Sequence, residues 1–109
     1  MKVLLDECLP IDLRHHLPGH EVHSADWAGF KGLKNGELLH VAEDAGYDVL
    51  LTIDQGIPHQ QNLPAERRMA ILIVHARTNQ LEDLLLEVIG ILKALADIRP
   101  GQVSFASRR

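Results

Sequence analysis

Apolar residues occur in short clusters along this chain, and their spacing alternates between that of strands and that of helices. Val3-Leu4-Leu5, bounded by Lys2 and Asp6, reads as a short buried strand. Residues 9–17 then take helical spacing, with Leu9, Leu13 and Leu17 on one face, Pro10 suited to a first turn and Pro18-Gly19 as the stop. His20-Glu21-Val22-His23-Ser24 is a weaker second strand, and residues 27–34, with Gly29 and Gly32, form a loop. Asn35 caps a helix that runs to about Ala45, its inward stripe made by Leu38, Val41, Ala42 and Ala45, and Gly46 ends it. Asp48-Val49-Leu50-Leu51-Thr52 is a third strand, buried on both faces. A turn-rich stretch with Gly56 and Pro58 follows Asp54, leaving room for one short helix. Residues 69–74 form an uninterrupted apolar strand. Asn79 with Glu82 three residues on resembles a capping box for a long amphipathic helix over residues 81–96. Pro100-Gly101 breaks it, and residues 102–106 alternate polar and apolar as an edge strand does.

Strands separated by helices imply right-handed crossovers and a mostly parallel sheet covered on both faces. The expected architecture is a single three-layer α/β/α domain over residues 1–109, with a five-stranded, doubly wound sheet of order 2-1-3-4-5. A length of 109 residues suits one domain, and 46% hydrophobic residues supply a core built from Leu, Ile, Val and Ala. No apolar run approaches the roughly 20 residues that span a bilayer. Acids arrive too early for a signal peptide, and the single Cys8 forms no internal disulfide, so a reduced, cytoplasmic setting is expected. The formal charge of −4 lacks the basic excess of a typical nucleic-acid binder, although a metal-dependent nuclease must gather carboxylates.

In a doubly wound sheet, ligands bind beyond the carboxyl ends of the strands, where the winding direction switches. For order 2-1-3-4-5 that point lies between the first and third strands. Asp6 follows the first strand and Asp54 the third, while Glu37 opens the helix that leads into the third. Three carboxylates at close range repel one another, and a hard divalent cation removes the conflict. Mg²⁺ or Mn²⁺ held by Asp6, Glu37 and Asp54 would activate a water and stabilise a phosphodiester under attack. Singly, each acid is better read as a turn or helix cap or as a complement to the helix dipole, so the site depends on their convergence.

The opening Lys2-Val3-Leu4-Leu5-Asp6-Glu7-Cys8-Leu9-Pro10 resembles that of the PIN-like family of predicted toxin nucleases. So do Asn35-Gly36-Glu37-Leu38-Leu39, Ala45-Gly46 and Val49-Leu50-Leu51-Thr52-Ile53-Asp54. The resemblance spans most of the chain and implies a Mg²⁺- or Mn²⁺-dependent endoribonuclease, the toxin of a toxin–antitoxin pair, with catalytic Asp6, Glu37 and Asp54. It also implies an RNA substrate and an antitoxin protein as partner. Two features depart from the family. A further helical Glu has no counterpart, leaving Glu7 or Asp26 as the stand-in, and Gln55-Gly56-Ile57 replaces the Asp-Phe that often follows the Thr-x-Asp turn.

Other polar residues are weaker candidates. Glu7 and Asn35 fall beside the acids, Gln61 lies in the Gln60-Gln61-Asn62 cluster, and Arg77 follows the fourth strand, each placed to support the site or contact RNA. Lys31 and Lys34 flank the Glu37 helix. His15, His16, His20 and His23 match no standard zinc spacing. A phosphoacceptor receiver domain shares the winding and the first and third acids, but needs a Lys after the fifth strand, where Ser107-Arg108-Arg109 stands. A non-catalytic PIN-like interaction protein is the other alternative. In that reading the surplus leucines of the last helix bury against a partner or a second copy in a homodimer.

Overall fold

The computed structural model describes residues 1–57 and 66–106. Five strands, β1 (Lys2–Leu5), β2 (Glu21–Ser24), β3 (Val49–Thr52), β4 (Ala70–Val74) and β5 (Val103–Ala106), form one sheet in the order β2-β1-β3-β4-β5. Every neighbouring pair is parallel, including β4 and β5, where Ile71 pairs with Val103 and Val74 with Ala106. The expected α/β architecture and strand order are therefore observed. Burial follows position. β3 and β4 are buried at every residue, while edge strand β2 alternates and edge strand β5 buries only Ala106, as a sheet covered on both faces requires of its centre.

Successive side chains point to opposite faces, so the sheet divides the core in two. Val3, Leu5, Leu51, Leu72 and Val74 face one side, and Leu4, Leu50, Ile71 and Ile73 the other. Leu9, Leu13 and Leu17 are buried at the predicted spacing, but residues 11–16 form a 3₁₀ helix (Ile11–His16) rather than an α-helix. Six residues at 3₁₀ rise cover about 12 Å, matching the about 13 Å of a four-residue strand. The tighter helix therefore suits the short span back to β2. On the opposite face, α1 (Asn35–Asp44) packs Leu38, Leu39 and Ala42 against the sheet. Its N-cap is Lys34, with no side-chain cap, so Asn35 begins the helix instead of capping it.

The predicted long helix is broken into α2 (Leu81–Leu85) and α3 (Val88–Asp97). The break falls at Glu87, a buried residue with φ −101° and ψ −2°, whose N–H reaches back to Leu84 O at 2.9 Å. No glycine or proline announces it; tertiary packing bends the chain there. The capping box does not form either. Gln80 is the α2 N-cap, and Asn79 Nδ2 donates instead to Cys8 O at 3.1 Å.

One connection departs from the expected right-handed set. The β1-to-β2 step moves one way across the sheet, and the later steps move the other way. Connections of a single hand would place the 3₁₀ helix on one face and every later helix on the other. The 3₁₀ helix and α1 obey this, but α2 and α3 lie on the 3₁₀ side, where Leu84, Ile91 and Leu95 join Leu13 and Leu72 in one cluster. The β4-to-β5 crossover therefore has the opposite hand to the first two. The rule comes from a strand feeding closely into a helix. Here residues 75–80 intervene, and Asn79 ties that segment to the turn after β1.

Candidate functional site at the carboxyl edge

Asp6 continues β1 beyond its last residue. Its N–H donates to Leu51 O at 3.0 Å, and its carbonyl accepts from Leu9 N at 2.9 Å, which turns the chain upward and over the sheet edge. Its carboxylate is half-buried and held on three sides: Oδ1 accepts from Glu7 N at 2.9 Å, and Oδ2 accepts from the Thr52 hydroxyl at 2.7 Å and the Cys8 thiol at 3.6 Å. Thr52 is fully buried at the end of β3, and the same Oγ1 accepts from Asp54 N at 3.0 Å. One hydroxyl thus joins the acid after β1 to the backbone of the acid after β3, across the switch point. Asp54 Oδ1 accepts from Gly56 N at 2.9 Å, closing an Asx-type turn.

Glu37 stands exposed in the first turn of α1, the turn nearest the carboxyl edge, and forms no hydrogen bond or ion pair among the described residues. Glu7 is tied away from Asp6, with Oε1 accepting from Gly32 N and so anchoring the loop after β2. Arg77 is exposed beyond β4, and Gln61 lies outside the described residues. Among the described residues, no three His, Cys, Asp or Glu side chains are grouped to hold a metal ion. The four histidines weighed for zinc are not gathered. His20 Nδ1 lies 3.3 Å from the amino terminus, and His23 Nδ1 lies 2.8 Å from the Tyr47 hydroxyl.

These oxygens are nonetheless compatible with a Mg²⁺-class ion. Such an ion is commonly held by one or two carboxylates, completing its shell with water and substrate phosphate. A carboxylate offers about four acceptor positions. Asp6 uses three and Asp54 one within the described structure, so both keep an open position. Cys8 is a poor rival ligand. Burial pushes its thiol above the ordinary value and the charge of Asp6 adds to this, against a backbone hydrogen bond involving Ile53. It is therefore largely protonated near neutral pH.

A cleft of about 340 Å³ opens beside Asp6, lined by Glu7, Pro10, Ile11, Ser24, Asp26 and Lys31 among others. It adjoins a second of about 540 Å³ lined by Ile11, Arg14, His23, Ser24, Asp26 and Trp27. Neither Glu37 nor Asp54 lines either one. Asp26 lies between them. Sequence reasoning missed Thr52 and Cys8 as partners of Asp6, since both read as ordinary strand and turn residues. It also passed over Trp27, although a lone tryptophan in a glycine-containing loop, outside any apolar period, was a visible signal.

The fold and this edge define a doubly wound parallel α/β domain with acids after its first and third strands. No family model matches the chain, and no curated protein or solved structure does either. Among the described residues, no helix is long and apolar enough to cross a membrane.

Proposed function

We propose that this chain is a PIN-like, metal-dependent endoribonuclease, the toxin of a toxin–antitoxin pair acting in the cytoplasm. The observation that carries this reading is the Thr52 hydroxyl, which holds the Asp6 carboxylate at 2.7 Å and the Asp54 N–H at 3.0 Å. It fixes two acids at the switch point, where sheets of this winding bind their ligands. Asp6 and Asp54 would hold Mg²⁺ or Mn²⁺, with Glu37 entering from the start of α1 when substrate binds. The ion, when bound, supplies charge stabilisation for a phosphodiester and lowers the pKa of a water. Thr52 keeps Asp6 oriented by donating to one of its carboxylate oxygens. Buried β3 and β4 make the platform rigid, so the acids need little reorganisation to receive the phosphate. The exposed Leu85 at the end of α2, Leu86 just after it and Ile89 in α3 are the apolar surface that an antitoxin, or a second copy of the chain, would cover.

The test is cleavage of single-stranded RNA with millimolar Mn²⁺. Asp6→Asn and Asp54→Asn are each expected to lower the rate at least 100-fold while melting within a few degrees of the parent. Parent-like cleavage by either variant, or a parent that neither cleaves nor gains thermal stability with Mn²⁺, overturns the proposal.

A further inference from the structure

Trp27 is the largest side chain left in the open, at 70% the most exposed large apolar group among the described residues. It is held in place nonetheless. Its backbone N–H donates to Ser24 Oγ at 3.1 Å, and its indole lies over the His23 ring, 4.2 Å between centroids at 33°. His23 is itself braced: Nδ1 lies 2.8 Å from the Tyr47 hydroxyl and Nε2 lies 3.5 Å from Glu21. Tyr47 packs edge-on against both His23 and Phe30 and carries the Lys2 ammonium 4.5 Å from its ring centre. An exposed aromatic face that is rigid before any ligand arrives loses little entropy on binding.

We infer that the groove from Asp6 to Trp27 is a subsite for one unpaired RNA nucleotide, whose base stacks on Trp27 while its phosphate faces Arg14 and Lys31. The inference rests on the nuclease reading above and adds to it that the substrate is single-stranded at this position. Three observations support it. The clefts around Asp6 and Trp27 share Ile11, Ser24 and Asp26 and so run together. Their volumes lie within the roughly 300–1,000 Å³ of small-ligand clefts. Each cleft contributes one cation, Arg14 or Lys31, among the acids Asp6, Glu7 and Asp26 that also line the groove, so these two side chains are the points at which a phosphate is attracted. A base seated on the indole therefore directs its backbone toward the cations. Bases can stack on an aromatic side chain only when unstacked from a helix, which is how proteins read single strands.

Trp27 is the chain's only tryptophan, so its fluorescence reports this contact without interference. A short oligouridylate is titrated into the parent protein in EDTA, and labelled-RNA anisotropy gives the affinity of each variant. Saturable quenching of Trp27 emission is expected, with much weaker binding of the same sequence in a duplex. Trp27→Ala should bind roughly 5- to 150-fold more weakly, and Trp27→Phe should retain most of the affinity. Arg14→Ala should flatten the salt dependence by about 0.7 in log–log slope.

Absence of saturable binding, parent-like binding by Trp27→Ala, or equal binding of the duplex overturns the inference. So does a blue shift of Trp27 that grows with protein concentration in the absence of RNA, because that marks a protein interface. The two readings fail separately. If Asp6→Asn loses cleavage while Trp27→Ala binds normally, only the subsite is lost. If Trp27 quenches but the parent never cleaves, only the nuclease is lost.

Discussion

The two ends of the sheet hold the same residue types through different partners. At the amino end of the strands, acids are engaged by backbone. Glu43 Oε1 accepts from both Arg68 N and Met69 N, and Asp48 Oδ2 accepts from Lys2 N at 2.7 Å. Lys2 reaches on to Ala45 O at 3.1 Å. At the carboxyl end, Asp6 takes a hydroxyl and a thiol besides the neighbouring Glu7 N–H, among the described residues Asp54 accepts only from Gly56 N two residues on, and Glu37 stands exposed. Helix α1 carries one acid of each kind, Glu37 in its first turn and Glu43 near its end. A carboxylate near a helix C-terminus is disfavoured by the dipole. Glu43 is retained there by the two N–H groups entering β4, which hold its carboxyl below the usual range. An acid on this helix therefore braces the fold or remains available to a ligand according to which sheet edge it meets.

Removing the Thr52 hydroxyl tests this contrast most severely. Thr52→Val keeps the shape but leaves the Asp54 N–H without its acceptor and takes from Asp6 the nearest of its three donors, a loss of about 1–3 kcal/mol measurable by urea unfolding. RNA cleavage should fall as well, because Asp6 loses its orientation. A variant as stable and active as the parent would remove Thr52 from the site. Glu43→Gln should have a smaller effect, about 1 kcal/mol of stability, with cleavage unchanged. Its pH signature follows from the lowered folded-state value. The stabilisation is present above the ordinary Glu range and disappears as pH falls through the folded value. Melting curves of parent and variant should therefore converge in acid and separate toward neutral pH; curves parallel at every pH would show that Glu43 is not the brace. Glu37→Gln should have the smallest effect on folding, within about 0.5 kcal/mol, while lowering RNA cleavage. Unchanged cleavage would confine the chemistry to Asp6 and Asp54.

The alternation of patterns sufficed for five strands, their order and the placing of Asp6, Glu37 and Asp54 toward one edge, because period and burial are local properties that connection rules convert into topology. Leu9, Leu13 and Leu17 were legible for the same reason. The partners of Asp6 were not, since Thr52 and Cys8 reach it only after β1 and β3 are in register. Nor was the break at Glu87, which interrupts an otherwise unbroken helical period, nor the reversed hand of the last crossover. The sequence by itself therefore determined the five strands, their order, and that Asp6 and Asp54 follow the first and third of them. Only the tertiary structure decided which donors hold each acid, and that Trp27 lies against His23 beside them. Those outcomes depend on distances between residues far apart in the chain, and no local period encodes such distances.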